Sequence, residues 1–255
     1  MSEKKYNEKE MPFLDHLEEL RWRLLKSIIS VFVMMVICFT FSDYLLEIML
    51  YPGKQINPPV PLQVLKIQTM FMIKLEMALI AGIIFSLPVI FYQLWQFLAP
   101  GLLKKERKLL PLFVFASVVC FLIGAVFAYF VIIPYALQFF LSLAPVDIEN
   151  KIAIDFYIGF LIRIILVFGV VFELPMLSAL LSKIGLLTPQ FMRKYRRYAI
   201  VSAFILGAIL TPPDPTTQIF LAVPIVLLYE ASIYVSYLFS PKAPKPNLKE
   251  VNTLD

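Results

Sequence analysis

Two hundred and fifty-five residues, 60% hydrophobic and 16% charged, with a mean hydropathy of +0.81, lie far from the composition of a soluble globular chain. The apolar residues gather in runs close to the roughly 20 residues that cross a bilayer, so the chain reads as a polytopic membrane protein. Its net charge of +5 is spread over short segments between the runs; that pattern orients a chain in lipid and argues against a nucleic-acid surface.

The N-terminus, MSEKKYNEKEMPFLDHLEEL, is too acidic and too interrupted for a cleavable signal peptide and is expected to remain in the mature chain. From Met11 to Leu24 the apolar residues Phe13, Leu17, Leu20 and Leu24 fall on one helical stripe, while Asp15, Glu18, Glu19 and Arg21 fall off it. This predicts an amphipathic helix leading into the first span, with Glu19 pairing Arg23 at i, i+4, or the same helix with its acids forming a binding face.

Six spans are expected near Leu24–Phe41, Leu75–Trp95, Leu109–Ile133, Phe156–Leu181, Tyr198–Leu210 and Ile219–Phe239. Pro88, Pro175 and Pro224 should bend or open the second, fourth and sixth, since each removes an amide donor and crowds the preceding turn. The fold class is all-α: six transmembrane helices with both termini cytoplasmic and short fifth and sixth helices. Residues 1–240 form one transmembrane domain with an amphipathic arm, and 241–255 a polar cytoplasmic tail expected to be disordered. Thirteen apolar residues in the fifth span cover roughly 20 Å, against a hydrocarbon thickness of about 30 Å. The connection TPPDPTTQ at 211–218 should hold the last two spans as a tight antiparallel pair.

Orientation follows from the bases. Lys4, Lys5, Lys9, Arg21 and Arg23 precede the first span; Lys104, Lys105, Arg107 and Lys108 follow the second; Lys183, Arg193, Lys194, Arg196 and Arg197 follow the fourth; and three more lie in the tail. The alternate connections hold only Lys54, Lys66, Lys74 and Lys151. That bias puts both termini, and the segment Tyr92–Lys108, in the cytoplasm. On the other side, Ser42–Lys74 contains Pro52-Gly53 and Pro58-Pro59-Val60-Pro61, which rule out one continuous helix but allow short helical pieces; Tyr135–Asp155 is a comparable connection. Composition leaves open whether these two form a cap.

Polar groups within the spans are few. Lys26, Glu76 and Arg163 lie near span ends, where they snorkel. Glu173 sits deep in VFGVVFELPMLSALL and admits two readings: a hydrogen bond to backbone opened by Pro175, or a polar patch for a partner helix or for transport. A partner-facing Glu173 requires a groove open to lipid or water. Glu230 admits the same alternatives, with a structural role favoured by flanking Tyr229 and Tyr234. Cys38 and Cys120 both fall in apolar runs, so no disulfide is expected. The one histidine, His16, lies in the arm, and no G-x-S-x-G, H-E-x-x-H or Walker sequence occurs, which argues against a protease, a pump and a metal site. A secondary transporter would show several midplane ionisable groups and an internal repeat; neither is apparent.

Four fragments occur in order: HLEELRWRL at 16–24, PVIFYQLWQFLAPGLLKKERK at 88–108, FGVVFELP at 168–175 and LTPPDPTTQIFLAVPIVLLYE at 210–230. On this layout the sequence resembles the TatC family, the multispanning receptor subunit of the twin-arginine protein translocase, from about His16 to Phe239. The resemblance implies no enzymatic activity and no cofactor. It implies that Glu19 and Glu106 receive the paired arginines of a signal peptide, with Phe97, Leu20 and Arg21 shaping that surface. It also implies an oligomeric complex in the cytoplasmic (inner) membrane. The single-span subunits TatA and TatB would contact the fifth and sixth spans and the Glu173 region, with Asp214 and Gln218 at the outer end. A guanidinium offers a planar fork that matches a carboxylate, which suits acidic openings in a basic surface. The segment IQTMFMIKLEM departs from the family pattern and is assigned no site.

Overall fold

The computed structural model describes residues 13–57, 59–98, 110–143, 151–211 and 214–240. Within them five helical segments are long and apolar enough to cross a membrane. Helix α1, Phe13–Thr40, packs antiparallel on α3, Thr69–Leu98. At one end Arg23 reaches Gln93; at the other the rings of Phe39 and Phe71 meet edge to face, 6.4 Å between centroids. Midway, Gly82 lets the two backbones touch: a Cβ there would lie 2.7 Å from the Met35 amide nitrogen. Close approach through a small residue is how transmembrane helices gain packing energy without a hydrophobic driving force.

Between them lies α2, Ser42–Gln55, which retains Pro52 inside the helix. Proline removes one donor and so frees the carbonyl of Ile48, four residues back. The Tyr129 hydroxyl donates to that carbonyl at 2.7 Å. One residue on, the Tyr157 hydroxyl stands inside the ladder itself, accepting from the Gly53 amide at 2.9 Å and donating to the Met49 carbonyl at 3.1 Å. Two tyrosines from other helices thus satisfy the groups that the proline and its neighbour leave open, as buried backbone requires.

The third span runs further than expected. Helix α4, Leu110–Phe127, passes through a π-turn at Ala128–Ile132 into α5, Ile133–Ser142. The expected span ended at Ile133, directly before Pro134. The turn before it widens instead, the Ile133 amide bonding the Ala128 carbonyl, and the helix resumes. The fourth span does break, at Phe172–Glu173, between α6, Ile154–Val171, and α7, Leu174–Lys183. Pro175, in the first turn of α7, has no amide for the Val171 carbonyl. Pro88 and Pro224 interrupt nothing: α3 and α10, Pro215–Phe239, are continuous through them.

Half of the apolar window in Ile154–Lys183 is buried, against 6% in Leu17–Thr40, so α6 is the centre of the core and α1 a peripheral helix, most of whose large apolar side chains are exposed. Ile158, Leu161, Ile164 and Phe168 of α6 pack with Ile73 of α3 and with Ile132 and Ile133, where the π-turn passes into α5. Two serines of α7 register it against α10: Ser178 donates to the Ser232 carbonyl at 3.0 Å, and the Ser182 and Ser236 hydroxyls are 2.6 Å apart.

Short α8, Pro189–Lys194, is capped by Thr188 and leads into α9, Arg196–Leu210. As expected, α9 and α10 form a tight antiparallel pair. Gly207 lies against the Gln218 backbone, Gln218 Nε2 donates to the Phe204 carbonyl at 2.9 Å, and Arg196 pairs with Glu230 at 2.6 Å. The fifth helix is short, 15 residues, but the sixth is not: capping by Asp214 with Pro215 in the first turn starts α10 early and gives it 25 residues.

The two long connections, before α3 and before α6, meet in a cap. Leu62–Gln63 (β1) and Ile152–Ala153 (β2) pair in parallel, and the Ile152 amide donates to the Pro61 carbonyl at 3.0 Å.

Candidate functional site

One end of the molecule gathers the start of α1, the end of α3, the start of α4, the end of α7 and the junction of α8 with α9. Trp95 of α3 lies 6.0 Å from the Phe113 ring of α4, and Lys183 of α7 stands over that same ring at 5.9 Å. Arg21, Arg23, Lys183, Arg193, Lys194, Arg196 and Arg197 lie on the helix segments at this end, while Lys104, Lys105, Arg107 and Lys108 fall outside the described residues.

At its α1 corner Arg23 donates through Nε to Glu19 Oε1 at 2.9 Å, its Nη2 meets the same oxygen, and its Nη1 reaches Gln93 Oε1 at 3.3 Å. The i, i+4 pair expected from the sequence is present. Its consequence is that Glu19 presents a carboxylate already engaged by a guanidinium. Both side chains are largely screened, with 16% of Arg23 and 23% of Glu19 exposed. Leu20 and Arg21, one and two residues on, are exposed, and Phe97 is half-buried near the end of α3. Beneath them Trp95 is buried, its indole nitrogen donating to Ser117 Oγ at 3.1 Å. Glu106 lies outside the described residues, in the connection between α3 and α4, whose flanking ends both belong to this face.

Glu173 occupies the break between α6 and α7 and is 5% exposed. Its carboxyl lies toward Ser117 and the Phe121 backbone of α4, yet neither oxygen reaches hydrogen-bonding geometry with a partner among the described residues. The backbone around it needs no help: Glu173 N bonds the Val170 carbonyl at 3.0 Å and Leu177 N bonds the Glu173 carbonyl at 2.8 Å. The groove open to lipid or water that a partner-facing Glu173 requires is therefore not found; the side chain points inward, next to the Trp95–Ser117 pair. Burial of an unsatisfied carboxyl is costly enough to mark this position as more than packing.

Asp214 and Gln218, expected at the outer end, have structural partners. Asp214 caps α10, accepting from the Thr216 amide at 3.0 Å and from the Thr217 amide and hydroxyl. The Thr217 hydroxyl, together with these amides, holds the Asp214 carboxyl below its ordinary range. Gln218 is the tie to α9. Glu230, left open by the sequence, is the partner of Arg196. Sequence reasoning missed Gln93 as a site residue: no local spacing signals a contact across 70 residues.

The sequence profile of the family described as Sec-independent protein translocase protein (TatC) matches residues 15–224. The chain belongs to the TatC family. Among characterised relatives, a TatC of Aquifex aeolicus is 38% identical over 91% of this chain and 97% of its own length, and one of Helicobacter pylori is 41% identical over 91% and 89%. A TatC of Halothiobacillus neapolitanus is 40% identical, but this chain spans only 62% of it. A crystal structure of the twin-arginine translocase receptor TatC superposes with a TM-score of 0.81 at 38% identity, covering 88% of this chain and 99% of that one. As a TatC protein the chain is a multi-pass membrane component of a protein translocase, a transport protein in place of a classical enzyme. Three of the four fragments that carried the resemblance fall wholly within the matched residues, and the fourth, 210–230, overlaps them up to residue 224.

Proposed function

We propose that this protein is the receptor that binds twin-arginine signal peptides of folded cargo at the cytoplasmic face of the inner membrane, with Glu19 and Glu106 as the carboxylates and Phe97, Leu20 and Arg21 as the surrounding surface. The observation that carries the reading is the Arg23–Glu19–Gln93 cluster: a guanidinium already docked on Glu19, at the corner where α1 meets the end of α3. A carboxylate that holds one guanidinium in place has the geometry to receive another. The helix ends flanking the Glu106 connection belong to the same basic face, which supports its placement near Glu19. The same collection of bases supports a six-span layout with both termini cytoplasmic. For α9 this needs local thinning of the bilayer, because its 15 residues extend about 22 Å.

We further propose that TatA and TatB pack along α9 and α10 in an oligomeric complex. Val201, Ile205 and Ile209 form an exposed stripe at four-residue spacing on the short helix, a surface suited to a single-span helix. Asp214 and Gln218 hold the outer end of that surface in shape. Glu173 would act on partners from within, through the packing of α7 against α10.

Titration of the purified protein with a twin-arginine peptide tests the receptor reading. Glu106→Ala is expected to bind about tenfold or more weakly while remaining folded, since a charge-assisted hydrogen bond contributes roughly 1.5–3 kcal/mol. Unchanged affinity in a folded variant refutes the assignment.

A further inference from the structure

Arg163 is the one basic residue in the membrane-buried stretch of α6, and it makes no ion pair among the described residues. Its Cα lies nine residues into α6, about 14 Å below the helix start. The side chain turns back toward that start: Nε donates to the Gly159 carbonyl at 3.1 Å, which lifts the guanidinium toward the headgroup level of the capped side. Its two terminal nitrogens have no protein acceptor among the described residues. Arg163 lines a cavity of about 440 Å³ whose walls are mostly apolar, among them Leu137 and Phe140 of α5, Phe156 and Phe160 of α6, and Ile209 of α9. The two other polar groups on its wall are committed elsewhere, the Tyr157 hydroxyl to α2 and the Thr211 hydroxyl to the Gly207 carbonyl at 3.0 Å.

A guanidinium left without an anion beside an aromatic-lined cleft, at the depth where acyl chains meet headgroups, is chemically half of a site. We propose that this cleft holds one glycerophospholipid from the leaflet on the capped side, its phosphodiester accepting from the Arg163 terminal nitrogens and one acyl chain lying along Phe140, Phe160 and Ile209. Phosphate matches the guanidinium fork, and the volume is within the range of small-ligand pockets, about 300–1,000 Å³. An unpaired arginine inside a span otherwise carries a large solvation penalty; a bound phosphate removes it. The lipid would join α5 and α6 to the end of short α9, where the bilayer is hardest to match. The proposal stands independently of the signal-peptide reading.

Native mass spectrometry of the full-length protein in detergent tests it, with phosphatidylglycerol, diacylglycerol and inorganic phosphate as probes. The wild type is expected to retain one phosphatidylglycerol and to bind diacylglycerol at least tenfold more weakly. Arg163→Gln should weaken the phospholipid about tenfold, and Ile209→Trp, which fills the cleft and keeps the charge, should also weaken it; both variants should remain monodisperse. Four results would each overturn the proposal: equal binding of diacylglycerol, displacement of the lipid by inorganic phosphate, retention of phosphatidylglycerol by both variants, or a second protein copy in place of lipid that Ile209→Trp dissociates.

Discussion

Removing Arg23 should strengthen peptide binding. In the resting protein Arg23 occupies Glu19, so an incoming arginine must displace a tethered one. Exposed ion pairs are worth roughly 0.2–1 kcal/mol. The screening of this pair, with 16% and 23% of the side chains exposed, places it toward the upper end of that range. Arg23→Gln retains polar contacts to Glu19 and Gln93 while withdrawing the competing charge. A gain of about 1 kcal/mol corresponds to roughly fivefold tighter binding. The fold should survive, because α1 is held on α3 along its length, with the Gly82 crossing and the Phe39–Phe71 contact far from this corner. The assay is titration of a twin-arginine peptide into wild type, Arg23→Gln, Glu19→Gln and the double variant. If Arg23 acts only by competing for Glu19, the double variant should match Glu19→Gln, and the cycle should show coupling of about 1 kcal/mol. Weaker binding by folded Arg23→Gln would refute the reasoning, because Arg23 would then be part of the docking surface.

Tyr157→Phe keeps the ring but removes the hydroxyl that joins the Gly53 amide to the Met49 carbonyl; a loss of about 1–3 kcal/mol is expected, read as lowered thermal stability in detergent, and faster exchange of the Gly53 amide should accompany it. Asp214→Asn keeps a side chain that caps well but cannot ionise. Because the folded carboxyl is held below its ordinary range, its charge stabilises the fold above that range and ceases to do so as pH falls through the depressed value. The stability difference between wild type and Asp214→Asn should accordingly be constant at neutral pH and vanish in strong acid; a difference that grows on acidification would contradict the cap.

Much of this architecture was legible because hydropathy is a local property. Runs of apolar residues marked the spans, Pro175 marked the break in the fourth, and the four-residue spacing of Glu19 and Arg23 announced their pair. Proline was a poorer guide elsewhere. Pro134 lies just past the expected end of the third span, yet a π-turn carries the helix through it; Pro52 reads as a breaker, yet α2 persists because Tyr129 and Tyr157 supply what the ladder lacks. No window of sequence could show those tyrosines as donors, since their partners are 81 to 108 residues away. The two-residue ladder between β1 and β2 is illegible for the same reason. Glu173 was recognised as exceptional, but whether it faced lipid or protein depended on α4, whose Ser117 and Phe121 carry no mark of that neighbour.

The two ends of the molecule are built on different principles, and the difference bears on how a receptor of this kind would work. On the capped side, the Tyr129 and Tyr157 hydroxyls, the β1–β2 ladder and the Gln218 tie each bind segments distant in sequence, most of them through backbone groups. Such ties fix position and are lost only by breaking buried hydrogen bonds. On the basic side most of the described links between helices are side chain to side chain, Arg23 with Gln93, Lys183 over Phe113 and Arg196 with Glu230, beside one to backbone, the Tyr229 hydroxyl on the Met192 carbonyl. The side-chain links can exchange partners at little cost, since a new guanidinium or carboxylate replaces the old one in kind. Helix α1, the least buried of the long helices, brings Glu19 to that side. A peptide arriving there would meet a surface free to rearrange on a frame anchored at the far end, so that binding energy goes into exchanging ion pairs and the packing of the spans stays intact.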